Sequence, residues 1–447
     1  MMKKTIANWG NYPAMVSDET VFSLTDEAKN YVAKEEGFIP RGNGRCYGDA
    51  SLAAHTLSTL KYDKILSFDT AKGILHCQSG LTLDRILEVI VPKGWFLPVT
   101  PGTKFITIGG AVASDVHGKN HHVDGSFSSH ILEMEILTGD DQVLTCSPTI
   151  NSDLFQATCG GMGLTGVITT VKFDLKKIES SFIKQRQLKA ENLEQLIEYF
   201  EKYSHYTYSM AWIDCLKKGK NFGRSILIMG EHATVDQLSE SQKKEPLKLP
   251  GKKKITFPFN LPSWVLNTFT VKAFNFLYYG KNFKKEINSV IPYEPFFYPL
   301  DAIHHWNRGY GKKGFVQYQF VLPLESKQGL VEIMRKISDR GMGSFLAVLK
   351  VFGKQDDLIS FPMEGYTLAL DFPVRKNLFA FLDELDQVVL AYGGRLYMSK
   401  DARMQPAILE AGYPRLNEFR KIVQRYNPDS RIRSVQSDRL NLTRPTN

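Results

Sequence analysis

The sequence predicts a mixed protein of helices and strands in two parts, and three observations support this prediction. Short apolar stretches with period-two character alternate with amphipathic helical stretches. Glycine-rich loops lie between several of these elements before Lys177. After Lys177, charged helical stretches alternate with strands, which indicates a second domain. A chain of 447 residues is long enough for such a division.

Composition restricts the class of protein. A hydrophobic fraction of 43% and a charged fraction of 23% are typical of globular proteins and exclude a disordered or repetitive chain. The N-terminal lysines precede no apolar run, so we expect no signal peptide, and no apolar window reaches the length of a membrane span. Five cysteines without a C-x-x-C pair predict a reduced, cytoplasmic chain. The net charge of +9 suits anionic lipid, a phosphorylated substrate or nucleic acid.

The first predicted elements lead into a glycine-rich loop. Helical spacing over residues 24–32 predicts a helix, and the Phe-Ile-Pro that follows predicts a strand. The strand runs into RGNGRCYGDA, residues 41–50. Arg41 stands there beside several glycines, an arrangement that holds a phosphate through a cation and exposed backbone amides.

A hairpin and a helix precede a second glycine-rich loop. Period-two runs over residues 57–81 predict the hairpin, and residues 83–91 predict an amphipathic helix that stops at Pro92. The loop, PGTKFITIGGAVASDVHGKNHH at residues 101–122, has almost no large side chains and therefore presents its backbone. Successive free N–H groups suit an anion such as a pyrophosphate. A plain connection between two strands is the alternative.

Two motif interpretations are excluded. Residues 161–166 contain G-x-G-x-x-G, which in a nicotinamide-binding unit follows a strand and opens a helix. Here a helical stretch precedes the pattern and a β-branched strand follows it, so we reject a nicotinamide site. No catalytic-zinc motif surrounds His117, His121 and His122, and no metal site is predicted.

The second part contains a basic segment followed by an aromatic one. Residues 243–254 are rich in lysine and contain two prolines, so we expect a mobile solvated loop within a wider mobile region near 240–285. The aromatic residues after it are flanked by lysines, as in segments that contact membrane surfaces. A core helix behind a charged loop is the alternative.

Polar residues interrupt the later apolar strands. Gln317 and Gln319 share one face of a strand, where two amides either grip a polyhydroxylated ligand or lie on a solvated surface. Lys350 lies inside an apolar run and is either an edge residue or a functional cation. Tyr397 and Lys400 follow a further strand close to the C-terminus.

Pieces of the sequence that match one known family occur in this order: RGNGRCYGD, PGTKFITIGGAVASDVHGKNHH, GSF, GGMGLTG, HWNRGYG with GFVQYQF, VLKVFG, LDFP and GGRLYMSKDAR. In these pieces the sequence resembles the bacterial decaprenylphosphoryl-ribose 2-oxidase family of vanillyl-alcohol-oxidase-type flavoproteins. The resemblance implies an α+β, two-domain PCMH-type FAD-binding fold. It implies that residues 1–178, completed by 395–447, bind FAD, and that residues 179–394 form an inserted substrate-binding domain built on an antiparallel sheet.

The resemblance also implies the cofactor site, in which the glycine loops contact FAD. The residues carried over as FAD-binding are Arg41, Gly42, Asn43, Gly44, Arg45, Cys46, Tyr47, Gly48, Asp49, Ala50, Gly102, Thr107, Ile108, Gly109, Gly110, Ser114, Asp115, Val116, His117, Ile168 and Tyr397. Many relatives attach the flavin covalently through a histidine in an R-G-x-G-H-S motif, and Arg45 stands in its place here. Arginine has no nucleophilic nitrogen at neutral pH, so we expect non-covalent FAD.

The resemblance further implies the substrate site. The residues carried over are Tyr47, His117, Lys119, Trp212, Gln317, Gln319, Lys350, Phe352 and Lys400. Oxidation of a secondary alcohol removes a proton from oxygen while hydride leaves carbon. We expect Lys400 to polarise the hydroxyl and to act as base if burial lowers its pKa, with Gln317 beside it and His117 assisting.

The function implied is FAD-dependent oxidation of the ribose 2-hydroxyl of a polyprenylphosphoryl-ribose to the 2-keto sugar. This is the first half of an epimerisation to the arabinose form used in cell-envelope polysaccharide. The implied partners are a short-chain NAD(P)H-dependent reductase, a quinone or other electron acceptor, and a peripheral contact at the inner face of the membrane. No nucleic acid is expected, because the lysines accompany no recognisable binding module.

Two alternatives and two departures accompany this interpretation. The alternatives are a soluble aldonolactone or alditol oxidase that uses oxygen, and a non-catalytic basic protein that binds membrane or nucleic acid. Where the family's best-known member has a cysteine and an asparagine, this chain has Ala369 and Thr367. These departures leave the FAD chemistry intact and leave the sugar and the lipid open.

Overall fold

The computed structural model describes residues 2–251, 255–262 and 264–443. Its first strands are β1 (Met2–Ala7), β2 (Ala14–Val21), β3 (Phe38–Arg41), β4 (His55–Ser58), β5 (Ile65–Asp69), β6 (Ile74–Gln78), β7 (Trp95–Phe96), β8 (Ile131–Thr138), β9 (Val143–Cys146), β10 (Gly166–Asp174) and β11 (Lys176–Lys177). The helices among them are α1 (Thr25–Val32), α2 (Leu83–Ile90), α3 (Ile108–Ala113), α4 (His121–Asp124) and α5 (Ser152–Thr158).

The second part of the chain carries longer strands and helices. The strands are β12 (Phe182–Ala190), β13 (Tyr208–Ile213), β14 (Ser225–His232), β15 (Ile255–Thr256), β16 (Glu286–Pro292), β17 (Ile303–His304), β18 (Phe315–Leu322), β19 (Val348–Phe352), β20 (Gly365–Pro373) and β21 (Arg395–Leu396). The helices are α6 (Leu193–Lys202), α7 (Glu240–Lys243), α8 (Thr268–Gly280), α9 (Tyr293–Phe297), α10 (Lys327–Arg340), α11 (Leu378–Ala391), α12 (Pro406–Gly412), α13 (Leu416–Tyr426) and α14 (Val435–Leu440).

Three larger sheets organise these strands. The first has the order β1-β2-β4-β3, and the second has the order β5-β6-β10-β8-β9. The third has eight antiparallel strands in the order β16-β12-β14-β13-β19-β20-β18-β21. Helices together with largely antiparallel sheets give the α+β class that the sequence predicted.

The hydrophobic core joins the two parts of the chain. One buried cluster packs Phe38 and Leu57 of the first sheet with Phe320 of the eight-stranded sheet and Phe419 of α13. A second cluster packs the second sheet against residues that include Trp212. The domain boundaries near residues 178 and 395 stay a prediction, because buried side chains from both sides of each boundary share these clusters.

Several early elements follow the sequence closely. The predicted helix over 83–91 is α2, which is followed by a short 3₁₀ turn, and Gly94 then reverses the chain at a φ of 80°. The predicted hairpin is formed by β5 and β6, which pair antiparallel. The helical stretch before G-x-G-x-x-G is α5 and the strand after it is β10, the order that excluded a nicotinamide site.

The region near 240–285 differs from the loop that the sequence predicted. Residues 268–280 form the helix α8, because Asn267 caps its start by accepting hydrogen bonds from the backbone N–H groups of Phe269 and Thr270. Residues 252–254 of the predicted basic loop lie outside the described residues. Within the described ranges, no helix has both the length and the apolar character needed to cross a bilayer.

Candidate active site

A cavity of about 340 Å³ lies where the glycine-rich loops meet the eight-stranded sheet. Its wall combines the loop of residues 41–50, the loop of residues 101–117, one face of β18, β19 and β20, and the segment 397–400. Residues that are hundreds of positions apart in the sequence therefore surround one space.

The two loops approach so closely that side chains do not fit between them. A Cβ atom on Gly42 would lie 2.3 Å from Oγ1 of Thr107, and a Cβ atom on Gly48 would lie 1.6 Å from the carbonyl oxygen of Asp401. The same Thr107 hydroxyl accepts a hydrogen bond of 3.2 Å from the backbone N–H of Gly110. Glycine at positions 42 and 48 thus holds the two loops and the C-terminal segment in contact.

Most residues predicted to bind FAD line this cavity. They are Arg41, Gly42, Asn43, Gly44, Arg45, Cys46, Tyr47, Ala50, Gly102, Thr107, Gly109, Gly110, Ser114, Val116, His117, Ile168 and Tyr397. The predicted residues Gly48, Asp49, Ile108 and Asp115 lie behind the wall. Asp49 accepts hydrogen bonds from the guanidinium of Arg439, and Asp115 accepts one of 2.7 Å from Ser126. Both carboxylates hold loops together within the protein.

Arg41 anchors the first glycine-rich loop as well as lining the cavity. Its guanidinium donates hydrogen bonds to the carbonyl oxygens of Ala7 at 2.9 Å and Ser51 at 2.8 Å. Nη1 also donates to Oδ1 of Asn8, so both terminal nitrogens of the guanidinium are bonded within the protein. Arg41 therefore fixes the glycine loop to β1, and the loop itself presents backbone to the cavity.

The cavity lining fits a flavin dinucleotide. Added Cβ atoms on Gly102 and Gly163 would meet no atom within 4 Å, so the backbone at both positions faces open space. Bare backbone of this kind suits a diphosphate. The Nδ1 atom of His117 is buried without a hydrogen-bond partner among the described residues, which leaves it free for a ligand in the cavity.

The sheet face opposite the loops places polar residues in register. Gln317 on β18 lies opposite Asp371 on β20, and Gln319 lies opposite Ala369. On the other side of β20, Lys350 of β19 lies opposite Thr367. Side chains two positions apart on a strand share a face, and those named here except Thr367 line the cavity.

Asp371 is a site residue that sequence reasoning missed. Its buried carboxylate accepts hydrogen bonds from Nε2 of Gln317 at 2.6 Å and from the hydroxyl of Tyr310 at 3.2 Å. Burial raises its pKa to about 7, which Gln317 and Lys400 oppose. The sequence did contain one local indication of this role. Asp371 lies two residues after Ala369, a position that the family resemblance had already singled out, and therefore shares its face of the strand.

Lys400 stands at the same end of the cavity as Asp371. Its ammonium lies 4.1 Å from the centre of the Tyr47 ring. Burial lowers the pKa of Lys400 to about 8, and the negative charge of Asp371 acts in the opposite direction. A substantial fraction of this lysine is neutral slightly above pH 7, so it can accept a proton there.

His117 is held as a neutral imidazole. Its Nε2 atom lies 3.1 Å from Nε2 of Gln319, an amide nitrogen that only donates, so the histidine nitrogen accepts. Burial and the charge of Lys350 lower the pKa of His117 well below its ordinary value. The remaining proton then lies on Nδ1, where it is available to a ligand. His121 and His122 bond to other partners, Gln355 and the carbonyl of Tyr206.

Three residues predicted to contact substrate do not line the cavity. Lys119 donates to the carbonyl of Phe296, and Trp212 donates to the carbonyl of Phe345 at 3.1 Å. Phe352 packs its ring against His117 at 4.7 Å between centres. Trp212 and Phe352 lie on the same sheet face as the lining residues Val348 and Lys350 but beyond the open space, and Lys119 lies in the loop before α4.

Comparisons with known proteins identify the family. A family model described as FAD binding domain matches residues 19–147. Over 452 aligned residues the chain is 36% identical to a decaprenylphosphoryl-β-D-ribose oxidase from Mycolicibacterium smegmatis, and the alignment covers 98% of each chain. The chain belongs to the decaprenylphosphoryl-β-D-ribose oxidase family. It is also 32% identical over 372 residues to an uncharacterized protein from Streptomyces coelicolor, covering 81% of this chain and 100% of that one.

Membership in the decaprenylphosphoryl-β-D-ribose oxidase family confirms the expected FAD-binding fold and the expected cofactor, FAD. The chain is an FAD-dependent oxidoreductase, so the alternative of a non-catalytic binding protein is ruled out. Similarity to some other enzymes extends over shorter segments. A D-2-hydroxyglutarate dehydrogenase from Bos taurus, for example, is 33% identical over 121 residues, which cover 26% of this chain and 22% of that one.

Proposed function

We propose that this enzyme oxidises the 2-hydroxyl of the ribose in a polyprenylphosphoryl-ribose to the 2-keto sugar. The observation that carries the proposal is the arrangement of Lys400, Gln317 and Asp371 at one end of the cavity, beside His117 and Gln319. The similarity in full length to an enzyme named for decaprenylphosphoryl-ribose supports this choice of substrate.

Each side chain at this end has a separate role in alcohol oxidation. FAD, when bound, supplies the acceptor for the hydride that leaves carbon. Nζ of Lys400 accepts the proton from the hydroxyl oxygen, which its lowered pKa permits near pH 8. Gln317 is held by Asp371 at 2.6 Å and orients the hydroxyl, and neutral His117 donates through Nδ1.

FAD is bound without a covalent link in this proposal. Arg45 occupies the loop position where a flavin-linking histidine would stand, and its guanidinium stacks 4.1 Å from the centre of the Trp9 ring. The neighbouring Cys46 carries a nucleophilic sulfur when ionised, and burial raises the pKa of this thiol, which keeps it protonated. Denaturation in acid releases all yellow colour into the supernatant if the cofactor is free, whereas a coloured pellet contradicts this part of the proposal.

Anaerobic bleaching of the bound flavin tests the substrate. We expect a short-chain polyprenylphosphoryl-ribose to bleach the absorption of the oxidised flavin, and free alditols and aldonolactones to leave it unchanged. Bleaching by small sugars, together with peroxide formation in air, would instead support the alditol or aldonolactone oxidase.

The 2-keto product calls for a second enzyme, and the reduced flavin calls for an acceptor. In this proposal a short-chain NAD(P)H-dependent reductase completes the epimerisation to the arabinose form, and a quinone or similar compound reoxidises the flavin. Conversion of polyprenylphosphoryl-ribose to the arabinose form requires both enzymes in a reconstituted mixture. Formation of arabinose by this enzyme alone would contradict the division of steps.

A peripheral membrane contact is also part of the proposal, and an exposed aromatic face supports it. The large apolar side chains exposed among the described residues of 255–283 are Ile255, Phe259, Trp264, Phe269, Phe274, Phe276, Leu277 and Phe283. Exposed lysines, among them Lys272, Lys281 and Lys284, border this aromatic face. Apolar rings beside cations suit the surface of an anionic bilayer, and the net charge of +9 has the right sign.

The aromatic face lies next to the cavity. Leu266, just before α8, packs in a cluster with Tyr47 and Phe315, and Tyr47 lines the cavity. A lipid-linked sugar in a bilayer would therefore have a short path to the reactive end. The five described cysteines are all unpaired, in keeping with work at the cytoplasmic side of the membrane.

Vesicle sedimentation tests this contact. We expect the enzyme to sediment with vesicles that contain anionic lipid and to remain in solution with neutral vesicles. Serine substitutions at Phe269 and Phe276, both highly exposed, should abolish sedimentation and leave the oxidation of short-chain substrate unchanged. Equal sedimentation of this variant and the wild type would rule out the aromatic face as the contact.

A further inference from the structure

Lys350 is a cavity-lining cation surrounded by other bases. Its ammonium interacts electrostatically with Lys400, with Lys119, and with the imidazoles of His117 and His121. In the part of the chain that the structure describes, no carboxylate pairs with it. Burial, assisted by the charge of Lys400, lowers the pKa of Lys350 to about 7.

This arrangement contrasts with the opposite end of the same sheet face. There Asp371 balances the charge of Lys400 and bonds to Gln317. Along β20, Asp371 and Thr367 lie two rows apart, with Ala369 between them, and Lys350 lies beside Thr367. The small side chain of Ala369 leaves open space between a balanced polar end and an end with surplus positive charge.

We propose that Lys350 binds the phosphodiester of the substrate, so that the sugar lies over Ala369 with its 2-hydroxyl directed to Lys400 and Gln317. This inference rests on the proposed function. In a polyprenylphosphoryl-ribose the phosphodiester is attached to the carbon next to the one that is oxidised. The anion must therefore lie within a few ångströms of the reacting hydroxyl, and Lys350 is the cavity-lining cation without a carboxylate partner on the described wall beside that point.

Charge balance supports the same assignment. A buried cation without a counter-ion is costly, and a bound anion removes that cost. A phosphodiester keeps one negative charge throughout the physiological pH range, whereas the groups facing Lys350 are bases. Binding the substrate thus supplies the missing counter-charge and fixes which face of the sugar meets the reactive end.

Binding of a substrate that cannot react is the most direct test. A short-chain polyprenylphosphoryl-2-deoxyribose lacks the reacting hydroxyl, and its Kd can be measured by calorimetry on the FAD-loaded enzyme. We expect Lys350→Met to weaken binding about ten- to a hundredfold, the usual effect of losing a hydrogen bond to a charged group. Lys350→Arg should retain most of the affinity. Lys354→Met, at an exposed lysine just beyond the same strand, is the matched control and should bind like the wild type.

A pair of substrates separates phosphate binding from a general effect on catalysis. With polyprenylphosphoryl-ribose, Lys350→Met should raise KM by a similar factor and change kcat little, whereas KM for the uncharged alkyl riboside of equal chain length should not change. Equal losses with both substrates, or an unchanged Kd for the deoxy analogue in the folded variant, would overturn the assignment. Failure of the wild type to oxidise any polyprenylphosphoryl-ribose would instead refute the proposed function itself.

The pH dependence gives an independent readout. A bound anion raises the pKa of Lys350, so binding above pH 7 takes up a proton. The affinity of the wild type for the deoxy analogue should fall as the pH rises through about 7, and calorimetry in buffers of different ionisation enthalpy should detect the proton uptake. Both effects should be absent in Lys350→Met, and their persistence there would assign the proton to another group.

Discussion

Asp371 and Lys400 set one another's titration in opposite directions. The carboxylate raises the pKa of the lysine, which burial has lowered to about 8, and the lysine lowers the pKa of the carboxyl, which burial has raised to about 7. Each group thus titrates within reach of neutral pH, and the same carboxylate positions Gln317. Asp371 is a positioning residue that acts on the reaction through Lys400 and Gln317.

This coupling predicts the effect of Asp371→Asn on the pH profile. Removing the negative charge lowers the pKa of Lys400 further, so the lysine loses its proton at lower pH. The acidic limb of kcat/KM, which we expect near pH 8 in the wild type, should shift to lower pH in the variant. Tyr310→Phe removes one hydrogen bond that lowers the pKa of Asp371 but keeps the carboxyl, so the limb should move less than in Asp371→Asn. A limb that does not move in Asp371→Asn would separate Asp371 from the titration.

Lys400→Met should keep FAD bound and remove most turnover. Loss of a general base lowers kcat by about a hundred- to ten-thousandfold. The flavin absorption of the purified variant checks cofactor retention, and stopped-flow bleaching measures flavin reduction by substrate. Reduction at the wild-type rate would show that Lys400 does not accept the proton.

At the residue scale, local sequence patterns predicted which side chains share a face of a strand. Alternation placed Gln317 and Gln319 on one face, and both line the cavity. Asp371 was missed because its role depends on pairing between β18 and β20, a contact between residues 54 positions apart. Lys119 was assigned to the substrate, yet the fold directs it to the carbonyl of Phe296.

Among the elements, the loop of residues 41–50 is held most tightly at Gly48. Its backbone lies against the carbonyl of Asp401, where a Cβ atom would come within 1.6 Å. Strands and helices around this loop could be predicted from periodicity, but this contact joins segments at opposite ends of the chain. A helix at α8 was only an alternative for a different reason, since its aromatic side chains give it no polar face, and the structure leaves several of them exposed.

Gly48→Ala should therefore destabilise the enzyme and weaken FAD binding. Forcing a methyl group into a packed contact costs about 1–3 kcal/mol. Differential scanning fluorimetry should report a lower Tm, and flavin fluorescence should show cofactor release at lower temperature than in the wild type. Gly309→Ala is the control, because a Cβ atom there meets nothing within 4 Å. Equal Tm values for the two variants would refute the contact.

Across the whole molecule, Arg439 on α14 connects the C-terminal segment to the first glycine loop. Its guanidinium bonds to Asp49 at 2.8 Å and to Asp401 at 2.7 Å, and both carboxylates are buried. The backbone of Phe38 in β3 forms a further bridge to Ile432. Motif order predicted that the chain's end completes the cofactor domain, but this ion network has no signature in the local sequence.

Arg439→Gln should be among the most damaging single substitutions outside the cavity. It leaves buried Asp49 without its ion-pair partner and leaves Asp401 with Arg403 alone, and breaking a buried pair costs about 3–5 kcal/mol. Chemical denaturation followed by flavin fluorescence should show the loss. Arg425→Gln removes an ion pair to Asp153 that is largely exposed, and its effect should stay below about 1 kcal/mol. If the free energy of unfolding falls by similar amounts in the two variants, the Arg439 network stabilises the enzyme no more than a surface ion pair does.

The closure of the cavity by residues 397–400 and by Arg439 has a consequence for biosynthesis. A nascent chain can build the early sheets while it is still being translated, because domains begin to fold from the N-terminus. The cavity for the flavin, however, lacks one wall until residues 397–400 have left the ribosome. It lacks the ion pairs of Arg439 with Asp49 and Asp401 until Arg439 has also emerged. Flavin capture is consequently a step that follows translation of nearly the whole chain, and ribosome-bound intermediates stalled before these residues should be colourless.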